Sequence, residues 1–214
     1  MLDKRLFFSA FKDTLPIFIS YFVLSFSFGI LAVKMGLNPY LAIFMSIIIY
    51  SGSLQFFLVA LFNKLSLFDI FITSFLFNFR QFFYSLTFLE RYKNSFYKIF
   101  ALTDETFAIL THKRENPKYE MYISLLNHVY WIIGTICGVV FVQYIEIKFK
   151  GLDFILVTLF IVILLESFLK SKRVFPFILG ALSFGIFYLL GVKNLLIFSI
   201  FFAFVVLFLR HKND

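Results

Sequence analysis

The sequence predicts an all-α fold, a polytopic integral membrane helical bundle, from its composition and from the length of its apolar runs. The chain has 214 residues, of which 61% are hydrophobic and only 15% charged, whereas soluble domains carry about a quarter of charged residues. A soluble fold of this size leaves roughly a quarter to a third of its unfolded surface in water. Side chains this apolar must therefore be covered by lipid, which excludes a soluble enzyme and a disordered chain. The single cysteine, Cys137, excludes a disulfide scaffold.

Seven apolar stretches approach the ~20 residues that a helix needs to cross the hydrocarbon layer. They lack the two-residue alternation of barrel strands, so we expect six to eight helical membrane segments. Residues 1–14 are predicted to form a cytoplasmic or interfacial N-terminal segment, residues 15–209 a single transmembrane domain, and residues 210–214 a short C-terminal tail. The seven stretches are Leu15–Val33, Pro39–Phe62, Leu65–Leu89, Met121–Ile145, Leu152–Leu169, Val174–Val192 and Asn194–Leu209.

The second stretch, Pro39–Phe62, is predicted to be a broken or re-entrant segment rather than a full crossing. The net charge of +8 fits Lys and Arg on cytoplasmic loops, and no basic patch accompanies a nucleic-acid-binding motif. With Pro39–Phe62 re-entrant and the N-terminus cytoplasmic, most Lys and Arg residues fall on the cytoplasmic side. Two alternatives separate the charges less strongly: residues 96–111 cross fully, or the N-terminus lies outside with seven crossings.

Polar side chains at bilayer depth are costly, so they indicate candidate sites. Ser51, Gly52, Ser53 and Gln55 fall in the middle of the second stretch. A helix break there would present N–H groups and the positive end of a half-helix, which suits a carboxylate. Close packing of small residues between helices explains the same pattern without a ligand.

A second polar group lies in the third stretch. Asn78, Gln81 and Tyr84 are three residues apart, along one side of a helix. Arg80 adjoins them, and a guanidinium in the membrane needs a partner, such as a carboxylate of the substrate or of the protein. The alternative is that Arg80 snorkels to an interface.

Two adjacent acids, Asp104 and Glu105, form the third group. One of them can pair with Arg80, and one can titrate as a proton-coupling group. The alternative is a surface helix with Thr103 as its N-cap and the acids in its first turn. No cluster of His, Cys and carboxylates has metal spacing and no glycine loop is built for phosphate, so we expect no metal and no cofactor.

Taken in order along the chain, these motifs resemble the AzlC-like branched-chain amino acid permeases, over roughly residues 14–170. The pieces are Phe28-Gly29 with Gly36; Met45-Ser46; Tyr50-Ser51-Gly52-Ser53-Leu54-Gln55-Phe56; Asn78-Phe79-Arg80-Gln81-Phe82-Phe83-Tyr84; Thr103-Asp104-Glu105-Thr106-Phe107-Ala108; Trp131 with Gly134-Thr135 and Gly138; and Gly151-Leu152-Asp153-Phe154 followed by Thr158-Leu159-Phe160. The chain departs from the family at Gln81, where a histidine is usual, and at Leu54, where a smaller or polar residue is expected.

The resemblance implies a multi-pass permease of the inner (cytoplasmic) membrane that moves branched-chain amino acids, mostly outward. It also implies a small hydrophobic partner subunit of the AzlD type. The composition and charge pattern add membrane lipids as partners and exclude nucleic acid. Transport would follow alternating access, by rocking around a site near mid-membrane. The substrate-binding candidates are Ser51, Gly52, Ser53, Gln55, Asn78, Arg80, Gln81 and Tyr84, and the coupling or ion-pair candidates are Asp104 and Glu105.

Two other functions are compatible with a polytopic helical chain. An intramembrane serine hydrolase would use Ser51 or Ser53 with His128, and it requires a serine–histidine contact. A small-solute channel requires a continuous pore, and the sequence has no filter-like repeat.

Overall fold

The computed structural model describes residues 3–61, 66–92, 95–112, 116–145, 174–192 and 195–213, together with isolated positions from 158 to 172. All regular structure in these ranges is helical, which confirms the all-α prediction. The predicted stretch Leu152–Leu169 lies largely outside the described residues. The helices are α1 (Lys4–Lys34), α2 (Pro39–Ile48), α3 (Gly52–Leu61), α4 (Leu67–Phe88), α5 (Phe96–Phe100), α6 (Asp104–His112), α7 (Pro117–Tyr144), α8 (Phe175–Leu189) and α9 (Leu195–Asn213).

Helix α1 is longer than the first apolar stretch. Its N-cap, Asp3, accepts hydrogen bonds from the backbone N–H groups of Arg5 and Leu6, and the helix continues for 31 residues. At ~1.5 Å per residue it measures about 46 Å, more than the ~30 Å of a hydrocarbon layer. The predicted N-terminal segment therefore continues into the first span as one helix. By length and composition, α1 and α7 are each able to cross a bilayer.

Helices α1 and α7 run parallel and in close contact. Ring pairs align them from end to end, at Phe7–Tyr122, Phe18–Tyr130 and Phe26–Phe141. A Cβ on Gly29 would lie 2.5 Å from the Thr135 carbonyl oxygen, and one on Gly138 would overlap the Phe26 carbonyl. The backbones touch because glycine leaves no side chain between them.

Helices α2 and α3 form a re-entrant hairpin, as the sequence predicts. Gln55 Nε2 donates to Ser46 Oγ at 3.3 Å, whereas nine residues of a continuous helix would separate these positions by about 13.5 Å. Phe56 of α3 contacts Phe28 near the C-terminal end of α1, with ring centroids 5.6 Å apart. The chain thus enters from the side where α1 ends, turns at residues 49–51 and returns to that side.

Helices α5 and α6 form a second hairpin, which enters from the opposite side. Lys98 on α5 lies 3.2 Å from Glu120 in the first turn of α7, whereas Thr103, at the turn, reaches Tyr21 in the middle of α1. Helix α6 then leads back to residue 116, where α7 begins. Residues 96–112 therefore dip inward and return, and the structure does not support a full crossing by residues 96–111.

The chain divides into two compact units, residues 1–62 with 77–152 and residues 63–76 with 153–214. The first contains both hairpins and the candidate site. In the second, α8 and α9 pack as an antiparallel pair: Phe187 contacts Phe198 and Phe202, and the Arg210 guanidinium lies 4.0 Å from the centroid of the Phe175 ring. The single domain expected over residues 15–209 stays a prediction.

Candidate functional site

The tips of the two hairpins meet beside the middle of α1 and α7. The ring of Tyr50, in the first tip, lies 6.2 Å from that of Phe100, which precedes the second tip, and 6.4 Å from that of Tyr21 on α1. Trp131 of α7 packs edge-on against Tyr21 at 5.4 Å. Two unwound turns therefore converge at one depth, the position at which discontinuous-helix transporters bind their substrates.

Tyr21 holds the second tip. Its hydroxyl donates to Glu105 Oε2 at 2.6 Å and lies 2.7 Å from Thr103 Oγ1. Thr103 Oγ1 accepts the backbone N–H of Thr106 at 3.3 Å, so Thr103 is the N-cap of α6. Asn127 of α7 donates to Thr106 Oγ1 at 3.0 Å. The predicted cap is therefore present, with the acids in the first turn of α6, but the helix belongs to a re-entrant hairpin instead of a surface segment.

Arg80 on α4 forms an ion pair with Asp104. Both side chains stay accessible, 45% for Arg80 and 39% for Asp104, so neither charge is sealed into the protein core. Arg80 uses Nη1 for this contact, and a guanidinium carries five N–H donors in all. The pairing of Arg80 with one of the two acids is the arrangement that the sequence predicts.

Several buried polar atoms near the tips lack a hydrogen-bond partner within the described ranges. They are Tyr50 Oη, Ser51 Oγ, Asn78 Oδ1, Asp104 Oδ1 and Asn127 Oδ1. An unsatisfied buried polar group costs about 1–3 kcal/mol, so such atoms in one region favour a polar ligand or water there. Asp104 is informative because one carboxylate oxygen binds Arg80, and the other, near the Tyr84 side chain, makes no hydrogen bond of normal geometry to any described residue.

His128 lies between the two hairpins. Its Nε2 lies 3.3 Å from the Ser46 carbonyl oxygen of α2; because a carbonyl only accepts, Nε2 carries the proton. Its Nδ1 lies 3.0 Å from the Tyr97 hydroxyl of α5 and, in the neutral ring, accepts from it. The Tyr50 ring packs on the imidazole at 4.5 Å. Both ring nitrogens are thus engaged, and neither contacts Ser51 or Ser53, so the serine–histidine contact that a hydrolase requires is not formed.

Two residues predicted to bind substrate have structural partners in this structure, and their contact with substrate stays a prediction. Gln55 accepts from Trp131 Nε1 at 2.8 Å and donates to Ser46, which occupies both ends of its amide. A Cβ on Gly52 would lie 2.6 Å from Trp131 Cη2, so this glycine lets the indole cover the start of α3. These contacts hold the first hairpin in shape, and the small-residue packing considered for this motif applies to Gly52.

The remaining predicted residues lie on α4 and at the first tip. Tyr84 stacks on Phe107 of α6 at 4.3 Å, next to the Arg80–Asp104 pair. Gln81 is half-buried and Ser53 is half-buried at the start of α3. The sequence alone did not propose Tyr21, Tyr50 or Asn127 as site residues, because a tyrosine or an asparagine in an apolar run is a weak signal by itself.

The chain matches the family model described as AzlC protein over residues 16–145. It is 36% identical over 181 residues to an uncharacterized membrane protein of Helicobacter pylori (strain J99), covering 78% of this chain and 79% of that protein. It is 33% identical over 185 residues to the branched-chain amino acid transport protein AzlC of Bacillus subtilis, covering 80% and 72%. Inner membrane protein YgaZ of Escherichia coli is 32% identical over 178 residues, covering 75% and 73%.

No solved structure matches the chain significantly. The family match covers well over half of the chain and includes both hairpins and the α1–α7 pair. The chain is therefore a member of the AzlC family of membrane proteins.

Proposed function

We propose that this protein is a permease that exports branched-chain amino acids across the inner membrane, and that it is a transporter and not an enzyme. The name of the Bacillus subtilis relative supports the substrate class. The observation that carries the proposal within this chain is the Arg80–Asp104 ion pair beside two re-entrant tips. An accessible pair of opposite charges at mid-depth is complementary to a zwitterion, the form of an amino acid at neutral pH.

The unused hydrogen-bonding capacity of the pair gives the substrate a place on each partner. The substrate carboxylate binds donors of Arg80 that Asp104 does not use, and its ammonium donates to Asp104 Oδ1, which is unpartnered among the described residues. Binding in this way adds no net charge to the membrane, where an uncompensated charge costs at least several kcal/mol. The Tyr50 and Ser51 hydroxyls of the first tip complete the polar contacts.

The side chain of the substrate contacts aromatic rings. Tyr84 and Phe107 stack beside the ion pair, and Phe100 lies on the second tip. A branched aliphatic side chain gains about 1.5–3 kcal/mol when it leaves water for such a surface. A polar side chain would lose its hydration there without a partner, which favours hydrophobic amino acids.

The N-terminus is cytoplasmic in this proposal, and so are the start of α7 and the base of the α5–α6 hairpin. This orientation leaves Arg91, Lys98 and Lys118 on the cytoplasmic side, as the positive-inside rule requires. A small hydrophobic subunit of the AzlD type completes the transporter. The large apolar side chains exposed on α4, among them Phe71, Phe75, Phe82 and Phe83, are covered by lipid or by that subunit.

The decisive experiment is efflux of radiolabelled leucine from loaded cells that express this chain alone or together with an AzlD-type subunit. Faster efflux with the subunit, and loss of efflux in Arg80→Gln at equal membrane abundance, supports the two-subunit exporter. Absence of leucine, isoleucine and valine efflux in both strains, with the protein present in the membrane, contradicts the proposed substrate.

A further inference from the structure

The turn residues at both hairpin tips are buried in this structure, although the Arg80–Asp104 pair beside them is accessible. Tyr50 and Ser51 are each only 4% exposed, and Ala101 and Leu102 are fully buried. A substrate on the Arg80–Asp104 pair reaches the Tyr50 and Ser51 hydroxyls, as the proposed function requires, only after one hairpin moves. The contacts that join the hairpins to the rest of the unit therefore control access to the site.

The α1–α7 pair is the fixed part of this unit. Added Cβ atoms at Gly29, Gly134 and Gly138 would each strike backbone or side-chain atoms of the opposite helix. Helices packed backbone to backbone lose dispersion contacts along their whole length when they separate. Rocking of α1 against α7 therefore costs free energy, so the movement that opens the site is expected in the hairpins.

The second hairpin is attached to that fixed pair by apolar packing of Ala101, Leu102 and Leu110, by the Lys98–Glu120 ion pair and by exchangeable hydrogen bonds. Thr103 bonds to Tyr21, Thr106 bonds to Asn127, and Tyr97 bonds to His128. Such hydrogen bonds can be replaced by bonds to water when the hairpin opens, since water compensates most of their strength.

His128 contacts both hairpins at once. One ring nitrogen donates to the Ser46 carbonyl of α2, in the last turn of that helix, where carbonyls have no intrahelical partner. The other accepts from Tyr97 of α5. The Tyr50 and Phe100 rings, one from each hairpin, lie 4.5 Å and 5.5 Å from the imidazole.

We propose that His128 is a positioning residue that latches both hairpins closed, and that the hairpins open in turn, each toward its own side, while α1 and α7 stay together. Loss of the Tyr97 bond weakens the attachment of α5–α6 only, which favours opening of the site toward the N-terminal ends of α1 and α7. Loss of the imidazole weakens the attachment of both hairpins. That the site must open rests on the proposed function, whereas the contacts of His128 are present without substrate.

The test measures access to the first tip with a reporter cysteine. In a Cys137→Ser background, Ser51→Cys is reacted with a membrane-impermeant, charged thiosulfonate added to one side of oriented vesicles. The rate is compared with that of the same protein carrying Tyr97→Phe or His128→Ala. The matched controls are Tyr122→Phe, whose hydroxyl contacts the N-terminus of α1, and His112→Ala, whose ring bonds to the Ala108 carbonyl of its own helix.

Tyr97→Phe is expected to raise the reaction rate about tenfold from the side of the α1 and α7 N-termini and to leave the rate from the other side unchanged. His128→Ala is expected to raise it from both sides, and the controls from neither. Unchanged rates in Tyr97→Phe, at an unchanged melting temperature, would overturn the latch; if His128→Ala does not fold, Tyr97→Phe alone decides. Because no substrate is present, failure of leucine efflux would contradict the proposed function and leave this result standing.

Discussion

Arg80 and Asp104 form an ion pair across 24 residues of sequence and join α4 to the tip of the second hairpin. Arg80 belongs to a helix that passes the site, whereas Asp104 is the first residue of α6. The contact thus joins α4 to the second hairpin, which must move if the site is to open. Substrate that binds to both charges would also loosen this tie.

Arg80→Gln and Asp104→Asn are each expected to reduce leucine efflux roughly 100-fold, which corresponds to about 2.7 kcal/mol. Stability should change little, because an accessible ion pair contributes only about 0–1 kcal/mol. Efflux and the melting temperature of the purified protein are measured on the same variants. Arg210→Gln, which removes a guanidinium from α9, is the matched control. Wild-type efflux in Arg80→Gln would rule out its role as the carboxylate partner.

The re-entrant hairpin α2–α3 is testable by cross-linking. In the Cys137→Ser background, Ser46→Cys combined with Gln55→Cys should be joined by a short bifunctional thiol reagent, because the native side chains lie 3.3 Å apart. Mass spectrometry of the digested protein detects the linked peptides. Phe44→Cys with Ser53→Cys has the same nine-residue separation, but Phe44 is 56% exposed, which places its side chain outside the packed hairpin, so this pair should not link. Linking of the control pair alone would contradict the hairpin.

How much of this site the sequence could predict depends on how far apart in the sequence the contacting residues lie. The break at residues 49–51 was predictable, since Ser51-Gly52-Ser53 interrupts an apolar run at its centre. The need of Arg80 for an acid was predictable from its cost in lipid. The second hairpin was not predictable, because its charged flanks, which include Arg91 and Lys98, resemble those of a surface loop.

The contacts that Tyr21 and His128 make also lay beyond the sequence. Tyr21 and Glu105 are 84 residues apart, and only the parallel packing of α1 with α7 brings this tyrosine beside the second tip. A lone histidine in an apolar helix is most often a satisfied structural residue, and His128 is satisfied, but its two partners come from different hairpins. Tertiary arrangement, and not residue type, gives such a side chain its position between moving parts.

The α1–α7 contact predicts a stability difference between two glycine substitutions of the same chemistry. Gly138→Ala places a Cβ against the Phe26 carbonyl, whereas Gly180→Ala on α8 meets no atom within 4 Å. Overpacking typically costs about 1–3 kcal/mol, and alanine in an open helix position gains about 0.5–1 kcal/mol over glycine. Thermal unfolding in detergent should therefore show a lower melting temperature for Gly138→Ala and an equal or higher one for Gly180→Ala. Equal melting temperatures would show that the two helices are not in backbone contact.

The parallel course of α1 and α7 predicts which ends of these helices are reached from each side of the membrane. Met35 follows the C-terminal end of α1 and is 47% exposed, and the exposed residue Asn116 caps the N-terminal end of α7. In the Cys137→Ser background, an impermeant maleimide should label Met35→Cys in intact cells and Asn116→Cys only after permeabilisation.

Because parallel helices of this length place these two ends on opposite faces of the bilayer, labelling of both from one side would contradict the packing itself. Labelling of Asn116→Cys alone in intact cells would keep the packing and reverse the orientation, which would place the basic base of the α5–α6 hairpin outside the cell, against the positive-inside rule.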